Sequence, residues 1–252
     1  MRLKSFSTYK YNLNELLNDS RLIVELKRAL EQGQAFRVKH DLDLNILKKY
    51  RTFFLKSIDI NSNEYTPRLK GCKNYIQIHP DHPDQIIKAN FISFSVFPWN
   101  EESNDLFETY RQLFILRNKL AGLPDDLYHK TCDEKLTARI AMQYYPSSYG
   151  FMNSHTDPKN IHQFAIPTLT LSKIGKDFST GGFFLVNENN KRQYMDSLLN
   201  FGDLTLFHTS IPHGVEVIDA GSVTDNIEKG RMMAIAAVNP FSGIDGFNAE
   251  NA

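Results

Sequence analysis

The sequence predicts an α+β fold in which N-terminal helices support a β-sandwich or barrel. Helical patterns prevail in the first half, whereas short strand-like runs separated by turn-forming residues follow from residue 135. Early helices and late strands are typical of folds in which helices cover one sheet. Many short strands with turns between them indicate a sandwich or barrel. We expect a single domain over residues 1–252, in which 1–134 support a core at 135–240.

The first half contains patterns for three amphipathic helices. The first begins at Asp19 or Ser20, both good N-caps, and stops at Gly33. The second begins at Asp43 and repeats apolar residues at helical spacing. The third covers residues 103–122 and ends on a glycine, which favours the left-handed conformation that closes many helices.

Strand patterns occur in both halves of the chain. Runs that alternate apolar and polar residues, or that are short and apolar, predict strands. They lie at 35–38, 75–79, 90–97, 136–145, 163–171, 182–186, 203–207, 214–218 and 231–238. Segments such as T-G-G, N-E-N-N and F-G-D separate the later runs, and H-P-D-H-P-D at 79–84 predicts a turn between two early ones.

The composition excludes several classes of partner. Lys plus Arg (29) balance Asp plus Glu (29), so the basic excess that nucleic-acid binders usually carry is missing. No stretch approaches the roughly 20 apolar residues of a membrane span. Cys72 and Cys132 lack metal-site spacing and are expected to be reduced thiols. We therefore expect a cytoplasmic protein with no nucleic acid or membrane partner, and of undetermined oligomeric state.

A histidine and an aspartate in S-H-T-D-P suggest half of a metal site. His155 and Asp157 are two apart, so in an extended strand their side chains point to the same side. Downstream, F-G-D-L-T-L-F-H-T-S-I-P-H-G-V offers His208 and His213, and either could supply a third ligand on chemistry alone. Two histidines and one carboxylate form the facial triad that leaves positions of an iron(II) ion open. Arg231 begins the last strand, and a guanidinium placed there needs an anion or water.

These residues and their surroundings resemble the iron(II)/2-oxoglutarate-dependent oxygenases. The segments that carry the resemblance are Y-Y-P-S-S-Y-G-F-M-N-S-H-T-D, S-T-G-G-F-F-L-V, F-G-D-L-T-L-F-H-T-S-I-P-H-G-V and the strand that begins with Arg231, within residues 136–240. The resemblance implies a double-stranded β-helix, also called a jelly roll or cupin-like barrel. It implies that His155, Asp157 and His213 bind iron, since the family spacing favours His213 over His208. It also implies that Arg231 binds the distal carboxylate of 2-oxoglutarate.

A second group for the cosubstrate is less well defined. Many family members have a serine two residues after the arginine, whereas this chain has Met233. Tyr145 and Thr170, on neighbouring predicted strands, are the candidates for a hydroxyl in its place. If 139–145 is a regular strand, Arg139, Gln143 and Tyr145 share one face, and Gln143 could reach cosubstrate or substrate. A purely structural role is equally compatible with a buried glutamine, because buried polar groups need partners.

The resemblance implies a hydroxylase that needs Fe(II), 2-oxoglutarate and O2 and releases succinate and CO2. The neutral charge and modest length favour a small polar metabolite with an unactivated C–H bond, such as an amino acid, sugar or natural-product intermediate. The carboxylate of Asp157 favours hydroxylation or desaturation over halogenation, because halogenating relatives typically have a small residue there. Alternatives are a cupin-type non-haem metal dioxygenase without 2-oxoglutarate, which typically uses three histidines, and a catalytically inactive metal-binding barrel. Prolyl-hydroxylase-like members tend to have lysine where Arg231 stands.

Overall fold

The computed structural model describes residues 1–59, 74–81, 87–127, 136–157, 163–224 and 226–240. The helices are α1 (Leu13–Asn18), α2 (Ser20–Glu31), α3 (Leu44–Asp59) and α4 (Asn104–Ala121). The strands are β1 (Ser5–Thr8), β2 (Gln34–Val38), β3 (Tyr75–Ile78), β4 (Ala89–Val96), β5 (Leu136–Pro146), β6 (Phe151–His155), β7 (Thr168–Thr170), β8 (Gly182–Val186), β9 (Arg192–Tyr194), β10 (Leu204–Leu206), β11 (His213–Glu216) and β12 (Gly230–Pro240).

The strands form a curled sheet with two arms. One arm has the order β1-β2-β10-β7-β12-β5-β4, the other has the order β6-β11-β8-β9, and β3 adds to β4. Strand β4 joins the arms, because Ile92–Val96 pair with β5 while Ala89 and Asn90 pair with β6. Side chains from both arms line one internal cavity, so the arms face each other around it. The double-stranded β-helix and the α+β class predicted from the sequence are confirmed.

The helices pack on the outer face of the larger arm. Along β12, Met232, Ala234 and Ala236 are buried in the same apolar cluster as the inner faces of all four helices. The alternate residues of β12, beginning with Arg231, point away from the helices, because successive strand residues face opposite sides. One strand therefore carries helix-packing residues on one face and cavity residues on the other.

Capping explains where the helices begin and end. The carboxylate of Asp19 accepts the backbone N–H of Arg21 at 2.9 Å and starts α2. Gly122 ends α4 with φ of 74°, a conformation that glycine adopts without a Cβ penalty. The helices predicted from the sequence are confirmed, and α1, which the sequence analysis did not predict, is a short helix with its own capping box from Asn12 and Glu15.

The short strands differ most from the predictions. Of the strand expected at 163–171, only Thr168–Thr170 form a ladder, directly after Pro167, which cannot donate a ladder hydrogen bond. Strands β1 and β9 were not predicted, and both are short and largely exposed. Part of the expected turn at 79–84, as well as Cys72 and Cys132, lies outside the described residues. Among the described helices, none is long and apolar enough to cross a membrane.

Candidate active site

Three potential metal ligands converge where β6 and β11 meet. The strands pair antiparallel with His213 opposite His155, and their ring centroids are 4.3 Å apart. Asp157 follows β6 and donates its backbone N–H to the carbonyl of Thr209 at 3.2 Å. Its carboxylate oxygens lie 3.8 Å from Nε2 of His155 and 3.5 Å from Nε2 of His213. One ligand atom from each residue therefore lies within 4.8 Å of the others.

Backbone carbonyls orient both imidazoles. Nδ1 of His155 lies 2.9 Å from the carbonyl oxygen of Asn153, and Nδ1 of His213 lies 2.9 Å from that of Ile211. A carbonyl can only accept, so each Nδ1 carries a proton, and in the neutral imidazole the lone pair is then on Nε2. The Phe207 ring packs edge-on against His213 at 4.9 Å and limits its rotation. This arrangement, with the second ring nitrogen held by a carbonyl, is typical of metal-binding histidines.

The protonation state of His155 and the distances between the ligand atoms suit a bound cation. Burial, and secondarily the neighbouring His213, lowers the pKa of His155 to about 4. Its imidazole is therefore neutral at physiological pH, which is the form that binds a metal. Ligand atoms about 2.1 Å from a shared ion and at right angles lie about 3 Å apart. The separations of 3.5 and 3.8 Å are close to this value, so the two imidazoles and one carboxylate fit a divalent ion such as iron(II).

The alternative histidine lies elsewhere. Nδ1 of His208 accepts the backbone N–H of Ser210 at 3.1 Å, and its ring packs edge-on against Phe164 at 4.8 Å. Within the described residues, the group of ligand atoms that could share one ion contains His213 and does not contain His208.

A cavity of about 240 Å³ extends from the three ligands into the barrel. Arg139, Gln143 and Tyr145 line it from one face of β5, as the alternation of that strand predicted. The Tyr145 hydroxyl donates to Oε1 of Gln143 at 2.8 Å. Burial raises the pKa of Tyr145, so its phenol stays protonated and remains a donor. Met233 also lines the cavity, whereas Thr170, which pairs with it in register, is buried and is not part of the lining.

Arg231 is completely buried and forms an ion pair that the sequence analysis did not predict. Its Nε donates to Oδ2 of Asp196 at 2.8 Å, and the two side chains are 1% and 3% exposed. The guanidinium carbon lies 5.9 Å from the ring centroid of Tyr145 and 5.3 Å from that of Phe183, both of which line the cavity. Nη1 of Arg231 and Oδ1 of Asp196 have no hydrogen-bond partner among the described residues. Arg231 itself does not line the cavity, and its guanidinium packs against two rings that do, with one donor unused.

The glycine pair of S-T-G-G-F-F-L-V makes room for this arrangement. A Cβ on Gly182 would lie 2.4 Å from Oδ2 of Asp196, and Gly182 has φ of +109°. The same Oδ2 accepts the backbone N–H of Phe183 at 2.6 Å. Gly181 has φ of +79°, and its Cβ would lie 2.1 Å from the carbonyl oxygen of Val217. A sequence signal for Asp196 existed only indirectly, because a buried arginine needs a counter-charge but the sequence does not say which.

Solved structures share this fold. A prolyl hydroxylase from Trichoplax adhaerens, in complex with a hypoxia inducible factor oxygen degradation domain peptide fragment, has a TM-score of 0.55 at 13% identity, covering 92% of this chain and 94% of that one. A Pseudomonas putida prolyl-4-hydroxylase has a TM-score of 0.51 at 13% identity, covering 85% and 96%. A full-length Neurospora crassa protein in complex with alpha-KG has a TM-score of 0.52 at 12% identity, covering 94% and 85%.

These likenesses establish the fold, and the fold agrees with the family that the sequence resembles. No protein-family model matches the chain, and no curated protein matches it in sequence.

Proposed function

We propose that this protein is an iron(II)- and 2-oxoglutarate-dependent oxygenase that hydroxylates an unactivated C–H bond of a small polar metabolite. The observation that carries this proposal is the convergence of His155, Asp157 and His213 at the open end of a β6–β11 pair. Both Nε2 lone pairs and the carboxylate face one point, and three ligands on one side of an ion leave its other positions free.

The proposed cosubstrate site is supported by an unused buried donor. An unpaired N–H in a buried guanidinium typically costs about 1–3 kcal/mol, so a ligand carboxylate that accepts from it gains that energy. Nη1 of Arg231 is such a donor, and its guanidinium carbon lies 5.9 Å from the Tyr145 ring and 5.3 Å from the Phe183 ring of the cavity wall. We propose that Arg231 holds the distal carboxylate of 2-oxoglutarate, with the Tyr145 phenol and Gln143 at the same end of the cavity. Thr170, like Arg231, is outside the cavity lining, but its hydroxyl is not among the buried polar atoms of the described residues that lack a partner, so it is the weaker candidate for a second hydroxyl.

The chemistry follows from this placement. With iron(II) and 2-oxoglutarate bound, O2 supplies one oxygen atom to the substrate C–H and one to succinate, and CO2 leaves. The chain contributes neutral imidazoles as ligands, a single carboxylate charge, and a largely apolar wall that excludes water. We further propose that the whole chain acts as one oxygenase domain, since β4 of the N-terminal half pairs with both β5 and β6, whose side chains line the cavity.

The small size of the proposed substrate is supported by the volume of the cavity. Its volume of about 240 Å³ is just below the range of about 300–1,000 Å³ that is usual for ligand sites, which favours a small molecule. A peptide substrate is the second candidate, because one solved structure of similar fold is a prolyl hydroxylase with a peptide bound. Stimulation of succinate release by free amino acids or sugars, compared with proline-containing peptides, distinguishes the two.

The decisive test is an anaerobic titration with iron(II) and 2-oxoglutarate. We expect the weak visible charge-transfer band of the metal–2-oxo acid chelate to develop in the wild-type protein. Asp157→Ala should prevent the band by removing a ligand, and Arg231→Ala should raise the 2-oxoglutarate concentration needed for it. Iron binding without a band at any concentration would contradict the proposal and favour an oxygenase without 2-oxoglutarate or an inactive barrel.

A further inference from the structure

Asp196 is a buried carboxylate that lies outside the metal site. It begins a short 3-10 turn after β9 and lies on the side of Arg231 that carries Nε. Nothing in the metal centre requires it, and burying a carboxylate is costly unless its partners compensate. Its Oδ2 has two such partners, the Phe183 backbone N–H at 2.6 Å and the Arg231 Nε at 2.8 Å.

The contacts of Asp196 fix the plane of the guanidinium. A guanidinium has one edge that includes Nε and another formed by the two Nη atoms, and a carboxylate can bind either edge. In this protein Asp196 accepts the hydrogen bond of Nε, while Nη1 has no hydrogen-bond partner among the described residues. The Phe183 N–H belongs to β8, so the acceptor is anchored to the barrel itself.

We propose that Asp196 is a positioning residue that binds Nε of Arg231 and thereby presents the Nη edge of the guanidinium to the distal carboxylate of 2-oxoglutarate. This inference rests on the proposed function and adds a determinant of cosubstrate binding to it. A freely rotating arginine would lose side-chain entropy on binding a carboxylate, whereas an arginine already held by Asp196 and by the adjoining rings has lost it beforehand. The absence of a Cβ at Gly182 is part of the same arrangement, since a methyl group there would displace Oδ2 of Asp196.

The test is the 2-oxoglutarate dependence of the chelate band in the wild type, Asp196→Ala, Arg231→Ala and the double variant. We expect Asp196→Ala to raise the half-saturating concentration by about 10-fold or more, the loss typical for a partner that orients a ligating group. In the Arg231→Ala background, the same substitution should have no further effect, because its influence passes through that side chain. Asp196→Asn keeps an acceptor oxygen for both N–H groups but loses the charge, so it should retain more of the 2-oxoglutarate affinity than Asp196→Ala.

Pyruvate provides the matched control ligand. It is a 2-oxo acid that forms the same chelate but has no distal carboxylate, so its titration should be unchanged by Asp196→Ala. Iron(II) affinity, measured separately, should be unchanged as well. Equal weakening for pyruvate and 2-oxoglutarate, or an undiminished effect in the Arg231→Ala background, would show that Asp196 serves only the fold.

Tighter 2-oxoglutarate binding in Asp196→Ala would also overturn the inference, because Asp196 would then act as a competing negative charge. If Asp196→Ala does not fold by circular dichroism, Asp196→Glu replaces it. That variant keeps the charge, moves the acceptor by one methylene and predicts the same selective loss. Absence of the band in the wild type contradicts the proposed function, whereas a band that is indifferent to Asp196 contradicts this inference alone.

Discussion

The barrel holds two clusters of charged or ionisable side chains that differ in how they are fixed. In the metal cluster, His155, Asp157 and His213 have side chains that are 11–20% exposed, and backbone carbonyls orient the two imidazoles. In the second cluster, Arg231 and Asp196 are sealed from solvent and hold each other. The comparison teaches that strand pairing and backbone hydrogen bonds position the metal ligands, whereas a long arginine needs another side chain.

The largest effect on stability is expected at the sealed pair. Arg231→Ala leaves the carboxylate of Asp196 buried without its cation, and breaking a buried pair in this way typically costs about 3–5 kcal/mol. The exposed pair of Arg192 and Glu216 has the same N–O separation of 2.8 Å, with side chains 47% and 39% exposed. Arg192→Ala should cost less than about 1 kcal/mol. Urea unfolding of the metal-free variants measures both free energies, and equal losses would contradict the distinction between the pairs.

Substitutions in the metal cluster should have the opposite effect: they should lower the affinity for iron(II) and change the free energy of unfolding little. His213→Ala is expected to weaken iron(II) binding by about 100-fold or more, because loss of a ligand's outer partner alone costs about 10–100-fold. His208→Ala, which removes the neighbouring histidine outside the ligand group, should leave the affinity unchanged. Anaerobic calorimetric titration with iron(II) measures both. If His213→Ala still bound iron(II) and His208→Ala did not, the third ligand would be His208 and not His213.

A smaller loss of stability is expected from a substitution at Gly182, the glycine beside Asp196. Gly182 and Gly221 both have positive φ, +109° and +79°, so alanine is strained at either position, by about 1–2 kcal/mol. Only at Gly182 does the new Cβ meet Asp196, whereas Gly221 has open space within 4 Å. Gly182→Ala should therefore be less stable than Gly221→Ala by about 1–3 kcal/mol, the cost of overpacking. Thermal unfolding measures the difference, and equal stabilities would show that Asp196 can move aside without cost.

The features that depend on local sequence were predictable. The helices α2 and α4 carry caps and regular apolar spacing. The strands β5, β8 and β12 are recognisable from the sequence because their residues alternate or are mostly apolar. His155 and Asp157 share a side because they are two apart in a strand, and the resemblance selected His213 from two histidines. The structure brings the side chains of these three residues together, as the resemblance implied.

The features that depend on distant packing were not predictable. Asp196 is separated from Arg231 in sequence by two strands, β10 and β11, and the two side chains meet only when the turn after β9 packs beside the start of β12. The sequence predicted that Arg231 needs an anion but could not show that the chain supplies one. Strands β1 and β9 were missed because each is short and gains its ladder from a neighbour rather than from its own apolar pattern.

The pairing of β4 has a consequence for how this protein can be altered. Ala89–Val96 come from the half of the chain that the sequence suggested was only support, yet this strand bridges β5 and β6. A fragment starting at residue 135 would lack the strand that connects its two arms and would expose the edges of β5 and β6. The N-terminal half is therefore not an interchangeable module. Replacing it with that of a relative to alter substrate selectivity would also replace β4, a strand of the barrel itself.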